Sequence, residues 1–180
     1  SQSPILIESE RAACLRQRKV AAKFHYETHR QATLWLKLHE SYAPPADMVQ
    51  PYADAAKALS LKWPHLDGSL IALGCGGGEK DISILKALPG STHFVPTDVC
   101  EHLALKAAQS AAKTHSSSVE TPLVFDLTTA DNLLIFIDQH AGLRRIYTFF
   151  GIIPNFPPKD ILPRLRMLLR NEDYLLVSAN

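Results

Sequence analysis

The apolar positions change rhythm at Gly68. Before it they recur at helical spacing; after it, short apolar runs alternate with amphipathic stretches. Glu8 to Lys23, rich in Ala, Arg, Lys and Leu, predicts a helix with Ser9 as its N-cap. Thr28 to Leu38 carries Ala32, Leu34, Trp35, Leu36 and Leu38 and predicts a second. "YAPPAD" interrupts the chain, because prolines restrict their own dihedrals and those of the preceding residue. Asp47 to Lys62 predicts a third helix, closed by "WPHLDG".

Beyond Gly68 the runs "SLIALG", "THFVPTD", "TPLVFD", "RRIYTFFG" and "DYLLVSAN" read as five strands. Between them lie expected helices at Glu79–Leu88, Glu101–Lys113, around Asp131–His140, and around Pro158–Leu169. "HSSSVE", from His115, reads as a polar link. Strands alternating with helices imply βαβ units on a parallel sheet. The expected fold is α/β, a Rossmann-like doubly wound parallel sheet of order 3-2-1-4-5. Residues 1–67 form a helical N-terminal extension and residues 68–180 a ligand-binding domain. Right-handed crossovers then gather the loops after the strand C-termini along one edge, where open α/β sheets bind ligands.

Length and charge narrow the classes. A chain of 180 residues suits one domain with an extension. A net charge of +1 gives no global field for a nucleic acid or a membrane surface. Cys14, Cys75 and Cys100 have neither CxxC spacing nor an even count, against a disulfide framework or a cysteine-rich zinc site. The thiols read as reduced, the N-terminus as no signal peptide, and no apolar run approaches the roughly 20 residues of a membrane span. A cytoplasmic protein with a small-molecule partner is expected.

The chemistry concentrates in "LIALGCGGGEKD", Leu70 to Asp81. Against the phosphate-binding pattern GxxxxGK[ST], Glu79 stands where glycine belongs and Asp81 where the magnesium-binding hydroxyl belongs. An acid in that cradle repels a triphosphate. Against the dinucleotide pattern GxGxxG, Gly74 and Gly76 match but Glu79 again fails. Gly78 makes the loop GxGxG, which suits the single carboxylate of a methyl donor at a helix N-terminus rather than a pyrophosphate. Cys75 fits as a small residue between glycines.

Two acids test the reading. Asp98, in "FVPTDVC", follows Gly78 by twenty residues, at the tip of the second strand, where ribose hydroxyls find their acceptor. Asp126, in "FDLT", ends the third strand, where an adenine amino group is recognised. Either acid alone is as readily a turn or cap residue. Together with the glycine loop, in order along one edge, they point to a nucleoside-type ligand, S-adenosylmethionine ahead of a nicotinamide dinucleotide.

On these motifs the chain resembles the class I S-adenosylmethionine-dependent methyltransferases. More narrowly it resembles the histidine-specific methyltransferase family, whose best-known members trimethylate the α-amino group of histidine. Glu79-Lys80 after the glycine loop, Pro96-Thr97-Asp98-Val99-Cys100, the segment from Gly151 through Asn155-Phe156, "KFHYE" and "LHESYAPP" carry the likeness. The resemblance implies donor binding by Gly74, Cys75, Gly76, Gly78, Asp98, Val99, Asp126 and Leu127. It implies acceptor binding by Gly151 and Asn155, with Tyr42 and Tyr26 lining the pocket. "GIIPN" is one residue shorter than the family's loop, and "APPAD" replaces its Thr-Arg. Family members continue into two more strands and a lobe that recognises the histidine ring. The expectation is a fragment or minimal relative without that lobe, acting on the α-amine of histidine or a related small-molecule amine.

Three features read more simply. His25 and His29 in "HYETH" have zinc-like spacing but lack the HExxH signature, so no metal is expected. "RLRMLLR" reads as an amphipathic helix on the sheet, with a nucleic-acid role for its arginines a minor alternative. The apolar face of residues 8–36 reads as core or as a homodimer contact. Two rival functions stay open: a donor-binding module without catalysis, and a nicotinamide-dependent oxidoreductase.

Overall fold

The computed structural model describes residues 4–42, 46–64, 68–114, 119–129, 132–141 and 144–179. The expected break at Pro44–Pro45, the turn at His65–Asp67, the link at His115–Ser118 and the helix start at Asp131 lie outside the described residues.

Five parallel strands form one sheet in the order β3-β2-β1-β4-β5, with β1 Gly68–Leu73, β2 His93–Asp98, β3 Leu123–Val124, β4 Arg144–Phe150 and β5 Tyr174–Ser178. Alternation of side chains gives each strand two apolar faces, as a parallel sheet covered on both sides requires. Leu70, Ala72, Phe94 and Ile146 face α3 (Ala46–Lys62), α4 (Glu79–Leu85) and α5 (Glu101–Thr114). Ile71, Leu73, Val95, Tyr147 and Phe149 face α6 (Leu133–His140) and α7 (Pro158–Leu168). Ile161, Leu165 and Leu168 are the buried stripe of α7, so the "RLRMLLR" helix lies on the sheet as its pattern implied.

The helices before the sheet differ in attachment. Tyr52, Ala56 and Leu59 of α3 join the main core. The Tyr52 hydroxyl donates to Ser178 Oγ at 2.9 Å and its ring meets Phe150 edge-on. Tyr52→Phe is expected to cost about 1 kcal/mol, a fall of a few degrees in Tm on thermal unfolding. By contrast α1 (Pro4–Gln17) buries no residue fully, and α2 (His29–Ser41) buries only Ala32, against Cys100 and Leu103.

Several boundaries depart from the sequence expectation. Helix α1 covers Pro4–Gln17 among the described residues and ends before Arg18 in left-handed backbone; Ser9 lies inside it, not at its cap. Helix α2 runs His29–Ser41 rather than Thr28 to Leu38, with Thr28 as its N-cap through a reciprocal capping box with Gln31. Helix α4 stops at Leu85 rather than Leu88, and β3 pairs over two residues rather than six.

Candidate functional site

The glycine loop leaves β1 through three residues with positive φ: Gly74 at 66°, Gly76 at 54° and Gly78 at 86°. L-residues with side chains avoid this region, so the turn needs glycine. Each also has a neighbour where a Cβ would stand. A Cβ on Gly74 would collide with the Ile152 side chain; on Gly76 it would lie 3.0 Å from the Trp35 ring; on Gly78 it would lie 2.8 Å from Ala107 Cβ. Gly78 thus lets α4 approach α5 closely. Gly78→Ala is expected to cost about 2–3 kcal/mol, from left-handed strain and overpacking together, read as a lower urea midpoint.

Asp98 ties the loops together. Its Oδ2 accepts the Gly76 N–H at 2.9 Å and its Oδ1 accepts the Cys100 N–H at 2.9 Å. The side chain is 6% exposed, and burial pushes its pKa up to about 6 against the pull of those amides. At pH 7.5 it is a carboxylate. Each carboxylate oxygen offers two lone-pair sites, so both keep acceptor capacity beyond the amide bonds. The Cys75 N–H continues the pairing by donating to Thr97 O. The Cys75 thiol is buried, and burial beside Asp98 pushes it well above its usual range, so it is an inert small residue rather than a nucleophile.

At the tip of β3, Asp126 Oδ1 accepts from the Thr128 N–H and hydroxyl, and Oδ2 accepts from Lys23 Nζ at 2.9 Å. Although burial raises the group, the Thr128 and Lys23 hydrogen bonds outweigh it and hold the carboxyl below its usual range. Leu127 turns its side chain into the core beneath α6 and α7.

The remaining candidates come from the loop after β4 and from the N-terminal segment. Gly151, at φ 72°, donates its N–H to Ser178 O at 3.0 Å, and Ile152 next to it reaches the glycine loop. Asn155 closes a short 3-10 turn, Ile153–Asn155, and is exposed. Tyr26 is half-buried, beside Trp35, and its pKa is pushed up to about 12 by burial and by the negative charge of Asp98. Tyr42 is 74% exposed. The two tyrosines flank α2, whose 13 residues span about 20 Å, so they do not line one small pocket together. His29 packs its ring on His102, and His25 is exposed.

Lys23 and Trp35 join the site without a signal in the sequence. Lys23 lies inside "KFHYE" and Trp35 inside an apolar helical stripe. Neither pattern shows that their partners are Asp126 and Gly76.

A cavity of about 210 Å³, lined by Lys62, Trp63, Arg144, Glu172 and Tyr174 among others, opens at the N-terminal ends of β4 and β5. It lies at the opposite edge of the sheet from the glycine loop. Crossover geometry, not cavity size, decides where a ligand sits in such a sheet.

An acid with spare acceptor sites at the tip of β2, tied to a tight glycine turn after β1, fits an adenosyl methyl donor. A profile of the family described as "Histidine-specific methyltransferase, SAM-dependent" matches residues 46–180.

The chain belongs to this family.

Membership decides the cofactor between the alternatives that the glycine loop left open: S-adenosylmethionine, not a nicotinamide dinucleotide. Solved structures share the fold. Magnesium protoporphyrin IX methyltransferase from Synechocystis PCC 6803, with bound S-adenosylhomocysteine, is 14% identical, with a TM-score of 0.51 over 81% of this chain and 65% of that one. A putative S-adenosylmethionine-dependent methyltransferase from Methanococcus maripaludis is 14% identical, with a TM-score of 0.51 over 84% of this chain and 64% of that one. The CurJ carbon methyltransferase is 17% identical, with a TM-score of 0.58 over 82% of this chain and 39% of that one. The chain therefore spans less than two thirds of the length of these structural relatives. No curated protein sequence matches the chain. No helix among the described residues is long and apolar enough to cross a membrane.

Proposed function

We propose that this protein binds S-adenosylmethionine at the C-terminal edge of β1, β2 and β3 and transfers its methyl group to a small-molecule amine, the α-amino group of histidine or of a related amino acid. The observation that carries the reading is Asp98, a carboxylate at the tip of β2 that accepts the Gly76 N–H and still has lone pairs for two ribose hydroxyls. Gly74, Cys75, Gly76 and Gly78 give close backbone to the methionine end of the donor. Val99 flanks the ribose, and Asp126 with the backbone of Leu127 meets the adenine.

The donor's sulfonium supplies the electrophilic methyl group, so the chain's own residues have to bind, orient and exclude water. Gly151 and Asn155 follow β4 and stand on the acceptor side, with Ile152 between them and the glycine loop. Tyr26, with its pKa near 12, stays a neutral phenol at working pH. It orients by hydrogen bonding and takes no proton from the amine. Tyr42 belongs to the acceptor side by family resemblance.

A second reading, donor binding without catalysis, is favoured by the exposure of Asn155 and Tyr42, which are not gathered around an enclosed acceptor pocket. Calorimetry with S-adenosylhomocysteine tests the shared part of both readings. Mass spectrometry of histidine and an amine panel incubated with protein and donor separates them. A methylated product supports the enzyme; tight donor binding with no product from any amine leaves the module.

A further inference from the structure

Residues 22–36 lie across the three loops assigned to the donor. Trp35 sits on Gly76, Tyr26 packs on the cluster of Ala32 with Cys100 and Leu103 that follows β2, and Lys23 pairs with Asp126. Among the described residues, the segment's apolar contact is a satellite cluster of Ala32 with Cys100 and Leu103. That cluster is bordered by the half-buried Tyr26, Trp35 and Leu36 and is separate from both sheet cores. Segments with few buried apolar contacts open locally at low free energy. Lys23 is a polar link to the sheet: its side chain is only 13% exposed, held between Glu10 of α1 and Asp126 at the tip of β3. A carboxylate oxygen accepts more than one hydrogen bond, so Asp126 can keep Lys23 while accepting an adenine amino proton.

We propose that Lys23 is the positioning residue that latches this segment over the donor cleft, so that the Lys23–Asp126 ion pair sets how fast the donor enters and leaves. The proposal rests on the donor-binding reading above. A cap held shut by a latch makes only its open fraction competent to bind, and weakening the latch raises that fraction. Association and dissociation then speed up together, while affinity changes less than either rate. A residue that merely touches the donor changes dissociation alone.

The test is stopped-flow binding of S-adenosylhomocysteine to the full chain, followed by tryptophan fluorescence, for the parent, Lys23→Met and Lys23→Arg. Lys23→Met keeps the aliphatic stem and removes the charge; Lys23→Gln replaces it where it does not fold. The expected result is a rise of at least about fivefold in both rate constants for Lys23→Met, with Lys23→Arg close to the parent. Amide exchange across residues 22–36 should quicken in the same variant. Unchanged rates, or faster dissociation with unchanged association, overturn the latch while leaving donor binding intact. A parent chain that binds no S-adenosylhomocysteine overturns both readings at once.

Discussion

Asp98→Ala is expected to weaken S-adenosylhomocysteine binding by at least about a hundredfold and to destabilise the fold in the same stroke. A hydrogen bond to a charged group contributes about 1.5–3 kcal/mol, and the two ribose hydroxyls would make two of them. Even the low end of that sum exceeds the roughly 2.8 kcal/mol that a hundredfold change in affinity represents. The same substitution strips the Gly76 and Cys100 amides of the acceptor that each holds at 2.9 Å. Unsatisfied buried amides cost about 1–3 kcal/mol each, partly offset because the carboxylate no longer has to be buried. Asn is no gentle replacement. The carboxylate accepts amide protons at both oxygens, and the amide of Asn would set its own donors against one of them. Isothermal titration on variant and parent, with urea unfolding alongside, reads both effects. An Asp98→Ala chain that binds as tightly as the parent removes the ribose assignment.

The double role of Asp98 explains why its position was legible in the sequence and its contacts were not. The strand-tip position follows from counting along βαβ units, because each parallel strand presents its last residues to one edge. Strands β1, β2 and β4 were readable for a related reason: a strand buried along nearly its whole length is mostly apolar. Apart from the end of α4, which lies in the core, the misplaced boundaries fall where burial is weak. Strand β3 is half-buried at the sheet's edge, and α1 buries nothing fully, so no periodic signal marks the start of the one or the end of the other.

The cap was illegible for a different reason. Lys23 and Asp126 stand 103 positions apart, and the contact depends on how the N-terminal segment crosses the finished sheet. An ammonium that pairs with the buried Asp126 looks, in sequence, like any surface lysine. Trp35 likewise reads as one more apolar position of α2, although what it covers is a glycine left bare at Gly76. Family likeness placed Tyr26, in "KFHYE", and Tyr42, in "LHESYAPP", on one acceptor pocket. The intervening helix keeps them apart.

Lowering the pH from 8 to about 4 should stabilise this protein through Asp81. The side chain is 4% exposed under the glycine loop, and the Thr148 hydroxyl of β4 donates to its Oδ1. Burial dominates and pushes its pKa up to about 7, against that hydrogen bond and one from its own backbone. An acid whose folded pKa lies above its unfolded value favours the folded state when protonated. Its contribution is fully present below the unfolded pKa near 4 and is lost as pH rises through 7. A rise from near 4 to about 7 corresponds to about 4 kcal/mol. Asp98, raised to about 6, acts in the same direction, whereas Asp126, held low, weakens the fold only below the ordinary carboxylate range. The window is therefore about pH 4–7. Asn at position 81 mimics the protonated acid: it still accepts from Thr148 and carries no charge. Asp81→Asn is expected to raise stability at pH 8 by up to about 4 kcal/mol and to converge on the parent near pH 4. Tm measured across that range checks it. Parallel curves for variant and parent would mean that Asp81 is ionised throughout and that the strand-to-helix contact tolerates its charge.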